Sequence, residues 1–182
     1  MIIEAKRAIA DWLGHGTYGL AAVLATLDYD GADTAPAGTW QIADDTRGTV
    51  ASDNAAIHRF PEESATAFPA VHVTAEDVVT ADGQSATYTH DGDIPVILLI
   101  AIRAASPSAA IRDLDYTMRA LLIVLDTLFD PSVAAAVTAI RRNGVQLQAI
   151  QSISSLRSQE NLEHNVATAQ VRVAIRCRDT LA

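Results

Sequence analysis

Residues 94–129 constrain this chain more than any other part of it. They open with the apolar run PVILLIAIRAA, turn at Ser106-Pro107 and continue as a long amphipathic segment. The run 94–102 shows no polar alternation, so it predicts a strand covered on both faces, either central under helices or sealed by a neighbouring subunit. Ser106 can cap the following helix and Pro107 suits its first position. Ile111, Leu114, Met118, Leu121, Leu125 and Leu128 then recur at three- and four-residue steps, with Leu122 and Phe129 widening the stripe. Asp115 and Arg119 form an acid-first pair on the outer side.

Two strand-like segments close the chain, at 145–155 and 165–179. In the second, Val171, Val173, Ile175 and Cys177 fall on one side, with Arg172, Arg176 and Arg178 on the other. Fifteen extended residues span roughly 50 Å, whereas a compact globule of this length is about 40 Å across. The expectation is a ribbon that bends or overhangs its domain, with unpaired edge groups that invite another chain.

The rest of the chain is less regular. Residues 2–13 carry a helical stripe of Ile2, Ile9 and Leu13, stopped by Gly14 and Gly16. A second helix is expected over 17–28, capped by Thr17. The pattern dissolves over 30–67, a long surface excursion with one short strand near 40–42. FPAVHV at 68–73 reads as an edge strand because Pro69 cannot donate to a ladder. Asp82-Gly83 and Asp91-Gly92 offer turns, and SVAAAVTAIRR a short helix ending at Arg141 and Arg142 before Asn143-Gly144.

The chain of 182 residues is read as a single domain, 1–182, since this length buries about 70% of its unfolded surface. Its formal charge of −9, with the acidic excess mostly before residue 94, disfavours specific nucleic-acid binding, which needs clustered cations. The single cysteine, Cys177, excludes an intrachain disulfide. The longest apolar run is far short of the roughly 20 residues of a membrane span. The N-terminus lacks the apolar core of a signal peptide, so a soluble protein made in the cytoplasm is expected.

No residues announce a reaction. Gly14, Gly16 and Gly19 match G-x-G-x-x-G, but a helix and not a strand precedes them, so a helix–helix connection is the better reading. His15, His58, His72, His90 and His164 share no metal-ligand spacing. The turns at Asp28–Asp30 and Asp91–Asp93 lack a calcium-binding loop. Cys177, on the apolar side of its strand, predicts an inert thiol. No catalytic, metal or cofactor site is assigned. Arg172, Arg176, Arg178, Arg141 and Arg142 are the candidate subunit-interface residues. The row Arg172, Arg176 and Arg178 is either a solvated, locally ion-paired face or a surface meeting the acidic 28–93 region of a neighbouring copy. Arg141 and Arg142 either do the same or offset a helix dipole.

Laid out this way, the chain resembles the tail-terminator (tail-completion) proteins of long-tailed bacteriophages. The resemblance is carried by MIIEAKRAIADWL, FPAVHV, PVILLIAIRAASPSAAIRDLDYTMRALLIVLDTLF, RRNGVQLQAIQSIS and VATAQVRVAIRCRD. It covers most of the chain and departs from the family at 30–67. It implies an α+β subunit with a mainly antiparallel sheet flanked by helices, assembling into a ring that is typically a hexamer. Such a ring caps the tail tube protein, stops its polymerisation and joins it to head–tail connector and neck proteins. DNA passes through the lumen without specific binding. The implied location is the virion tail or neck, assembled in the host bacterial cytoplasm, with no enzyme activity, cofactor or membrane. Another phage neck or head-completion protein, or a sheath-associated component, shares this size and composition. From a different class, a small α+β enzyme or ligand-binding domain would place a pocket under the 31–67 loop, near His58, His72 or His90.

Overall fold

A computed structural model describes residues 2–44, 48–49, 68–75, 91–158 and 165–180. The long apolar run becomes β4 (Asp91–Arg103), and it sits inside a mixed sheet with neighbours on both edges. On one side lies β3 (Ala70–Ala75), antiparallel, with Val71 opposite Ile100. On the other lies β7 (Val166–Asp179), antiparallel, with Val96 opposite Val173. Beyond β3 come β1 (Gln41–Asp44), which is parallel to it, and the two-residue β2 (Gly48–Thr49). Beyond β7 come β6 (Val145–Ser158) and β5 (Arg141–Arg142). The full order is β2-β1-β3-β4-β7-β6-β5, antiparallel except for β1 and β3. The fold is α+β, as its sequence reads.

The described helices are α1 (Ile2–Leu13), α2 (Leu20–Leu24), α3 (Pro107–Leu128) and α4 (Ala134–Ala139). α1 and α3 pack on the same face of the sheet. Their Ile9, Leu13, Leu121 and Leu125 join Val96, Leu98, Ile100, Val173 and Ile175 in one core, all of them essentially without solvent exposure. α3 begins where its signals place it: Ser106 Oγ accepts a hydrogen bond from Ala109 N at 3.2 Å, and Pro107 occupies the first turn. Trp12 ties the two helices together, its Nε1 donating to Val124 O at 3.0 Å. The opposite face carries no described helix. Over β1, β3 and β4 its Ala43, Ala70, His72 and Ala101 are nonetheless buried, and Arg103 lies 4.3 Å over the Phe68 ring there.

Several expectations are corrected. β3 is an inner strand: Pro69 lies just before it, so its missing N–H falls outside the ladder, and its carbonyl accepts from Gln41 N at 2.9 Å. Asp91-Gly92 is no turn, because β4 already begins at Asp91, paired with Arg178. α2 is shorter than expected, and Gly19, not Thr17, stands at its N-cap. On α3, Ile111 and Leu122 are exposed, since the buried face is centred on Ala110, Thr117, Ala120 and Val124. Arg141 and Arg142 do not end a helix. They form β5, turned back onto β6 by Asn143 and Gly144 with φ of 45° and 80°. Two successive positive φ values are what a type I′ hairpin turn requires, and Asn-Gly supplies them at least cost. The Asp82-Gly83 turn, and His58, His90 and His164, lie outside the described residues.

The largest correction concerns the ribbon. β7 does not overhang with bare edges. It pairs with β4 from Val166 to Arg178 and with β6 from Thr168 to Asp179. The open edge belongs to β6. β5 covers only Val145 and Gln146, and Leu147 N donates to Ile140 O at 2.8 Å. From Gln148 to Ser158 no described strand pairs with the outer side of β6.

Candidate functional site

β6 changes character along its length because its register slips twice. Irregularities between Leu147 and Ala149 and between Ile150 and Ser152 leave Gln148 and Gln151 without partners in β7. Each extra residue flips the alternation that follows. Val145, Leu147, Ile150 and Ile153 therefore all sit on the helix side, although their spacing of two, three and three would scatter them in a regular strand. Past the second irregularity the strand runs beyond the helical layer. Residues 151–156 are exposed throughout, with Ile153 37% and Leu156 70% exposed, while Val171 and Val173 beside them remain buried. Leu156 lies opposite Gln170, on the helix-free face.

That face also carries the arginine row. Arg172, Arg176 and Arg178 stand opposite Ile97, Asp93 and Asp91 of β4. Arg176 grips Asp93 with two hydrogen bonds: Nε donates to Oδ1, and Nη2 donates to Oδ2 at 2.9 Å. The hydrogen bond from Arg176 holds the Asp93 carboxyl below its ordinary range. Both side chains are nearly half exposed, so the pair adds little stability. Arg176 thus meets acid from its own copy. Arg172 and Arg178 lie on the same exposed side of β7 and are also engaged in interactions within the chain.

Arg142 is also engaged within the protomer. Its Nη1 donates to Asp11 of α1, and its Nε lies 3.6 Å from Glu4 Oε2. Asn143 Nδ2 donates to Glu4 Oε1 at 3.1 Å. This cluster clamps the β5–β6 hairpin to α1, a role for Glu4, Asp11 and Asn143 that the sequence reading missed. The available signal was Asn143-Gly144, which announces a hairpin and so places Arg142 in a strand. Arg141 is exposed beside the clamp.

Between α1 and α4 lies a cleft of about 560 Å³, lined by Ala8, Asp11, Trp12 and His15 on one wall and by Ala135, Thr138 and Ala139 with Arg141 and Arg142 on the other. His15 lies tilted against two aromatic rings, 5.1 Å from Trp12 and 5.3 Å from Tyr18, which stack on each other. Its Nδ1 accepts from Thr17 N at 3.1 Å and Tyr18 N at 3.3 Å. The glycine motif makes this tight turn. A Cβ on Gly19 would sit 2.3 Å from His15 O and 2.5 Å from Leu13 O. Backbone crowding between two helices, and not a phosphate cradle, accounts for that glycine.

Elsewhere, Asp33 accepts from Arg112 Nη1 at 2.8 Å and from Tyr116 OH at 3.1 Å, pinning the start of the 30–67 segment onto α3. Burial pushes the Cys177 thiol up to about 12, which makes it a poor nucleophile. Among the described residues no group of three His, Cys, Asp or Glu side chains could hold a metal ion, and no helix is long and apolar enough to cross a membrane. His72 is buried on the helix-free face, away from the α1–α4 cleft. The sequence matches no protein-family model and no curated protein.

Proposed function

We propose that the chain is a structural ring subunit of the tail-terminator kind. In this reading it caps a tube of stacked protein rings, halts tube growth and offers an unlike face to a connector, with no bond made or broken. The ring is a hexamer, the tube is a phage tail tube, and DNA passes through the lumen without specific contact. The virion is its location and the chain is not an enzyme.

One observation carries the reading. The outer half of β6, a fourteen-residue strand, has no pairing strand along its outer edge from Gln148 onward among the described residues, and residues 151–156 are exposed on both faces. It carries no charge before Arg157. Protected edges in single-chain proteins are shortened, charged, bulged or covered. Beyond its two register slips this arm shows no such device before Arg157 among the described residues, and a sister chain is the support that suits it best. A closed ring needs a heterologous contact, in which different surfaces meet, and the described sheet ends in different strands, β2 on one side and β5–β6 on the other. The net charge of −9 suits a channel that must not retain phosphates.

The cleft beside α1 favours a second reading, a small ligand-binding domain, although its Arg142 and Asp11 already satisfy one another. Mass photometry on purified protein, alone and with tube protein, separates the two. The ring reading expects particles at six times the 19.3 kDa protomer mass, at least on the tube. A monomer under every condition contradicts it.

A further inference from the structure

We infer that the cleft between α1 and α4 binds a small organic anion with a flat apolar body, its charged group held by Arg141. The cleft holds about 560 Å³, within the range of small-molecule sites and far too small for a folded partner. Such sites combine mostly apolar walls with a few placed polar groups. Here Ala8 and Trp12 line the α1 wall and Ala135 and Ala139 the α4 wall, with His15, Thr138 and the arginines of β5 as polar groups.

The sign of the ligand follows from what is already paired. The lining carries one carboxylate, Asp11, and two guanidiniums, Arg141 and Arg142. Arg142 donates to Asp11 and lies against Glu4, whose other oxygen accepts from Asn143 Nδ2. That clamp occupies both acids and fixes β5 to α1. Arg141 is left over: it is exposed, and among the described residues its side chain enters no hydrogen bond or ion pair. On a chain of net charge −9 this is a local cationic point, and a planar guanidinium matches a carboxylate in shape as well as charge.

His15 adds a neutral donor. Its Nδ1 accepts from two backbone N–H groups, so the neutral ring carries its proton on Nε2. A second hollow, of about 330 Å³, shares Arg141 and Arg142 and is lined further by Asn143, Gln146 and Thr180, with no carboxylate among the described residues. An anion at Arg141 therefore meets donors in both hollows, and the one acid nearby is already held by Arg142. The alanine walls belong to the α1–α4 cleft alone, so the body of the ligand lies there. This site does not rest on the ring reading.

Titration calorimetry with 4-nitrobenzoate tests the site. Wild-type protein is expected to bind it saturably at about 1 mM or below, the scale for so small a ligand. The uncharged isostere 4-nitrobenzamide should bind about tenfold more weakly, the scale of one hydrogen bond to a charged group. Arg141→Ala should bring the acid down to the level of the amide and leave the amide unchanged. Arg119→Ala, which removes an exposed charge on α3, should change neither. Thr138→Trp, at an exposed position on α4, should fill the cleft and abolish binding of both. Unchanged melting checks that the variants fold, and the comparison of acid with amide needs no variant at all. No saturable binding, equal affinity for acid and amide, or binding that survives Arg141→Ala or Thr138→Trp overturns the site and leaves the ring reading standing. A chain that stays monomeric yet shows the expected pattern keeps the site and loses the ring.

Discussion

The two halves of β6 are built from similar letters and have opposite fates. Val145 and Leu147 sit under helices and next to Cys177, and both are buried. Ile153 and Leu156, a few residues later on the same strand, face solvent. Apolar character alone therefore does not decide what is core. What differs is the layer above: α1 and α3 cover β3, β4 and β7, while the far half of β6 runs out from beneath them. In the ring reading, that half is core whose other side is supplied by a neighbouring copy.

The sharpest way to break this contrast is to truncate both sides of it. Leu121→Ala, in the fully buried helix layer, should cost about 2–5 kcal/mol of protomer stability by loss of burial and cavity formation. Urea denaturation of dilute protein measures it. Leu156→Ala should change the same curve by no more than about 0.5 kcal/mol while weakening assembly. Comparable destabilisation by the two would mean the arm is already packed within one copy.

Next in size is Gly19→Ala. The added methyl must displace the backbone around Leu13 and His15, and a loss of about 1–3 kcal/mol is expected, as for overpacking. An unchanged melting midpoint would show that the α1–α2 turn is looser than its geometry implies.

Cys177 gives a smaller, pH-dependent effect. Its folded value of about 12 lies above the ordinary thiol value, so the folded chain keeps a proton that the unfolded chain releases. Its contribution is fully present below about pH 8.5 and is lost as pH rises through the folded value. Thiol labelling at pH 8 should be slow in native protein and fast in urea. The mildest change is Arg176→Ala, which removes an exposed pair with Asp93 and should cost only about 0–1 kcal/mol.

The legible parts of the sequence are those where one period governs an element from end to end. α3 announces itself through Ser106, Pro107 and a sustained stripe, and β7 through strict alternation from Val171 to Cys177. Even there the helix face reads a little off centre, because Ile111 and Leu122 look identical to core residues until the packing geometry is known. β6 reads as a strand, but its two slips hide in Gln148 and Gln151, which change the facing of Ile150 and Ile153 without changing composition. β3 reads as an edge only if Pro69 belongs to the strand, and in the fold that proline precedes it. The clamp of Arg142 by Glu4 and Asp11 joins residues more than a hundred positions apart, and no local pattern encodes it. The arginine row is visible by alternation, yet its neighbours Asp93 and Leu156 depend on strand order and register.

One labelling rate bears most directly on whether sister chains complete this sheet. Leu156→Cys places a reactive thiol on the free arm while the native thiol stays silent. Rapid modification is expected in dilute protomers, with strong protection once the protein is assembled. Equal rates in both states would show that the arm remains in solvent within the assembly, and would contradict the claim.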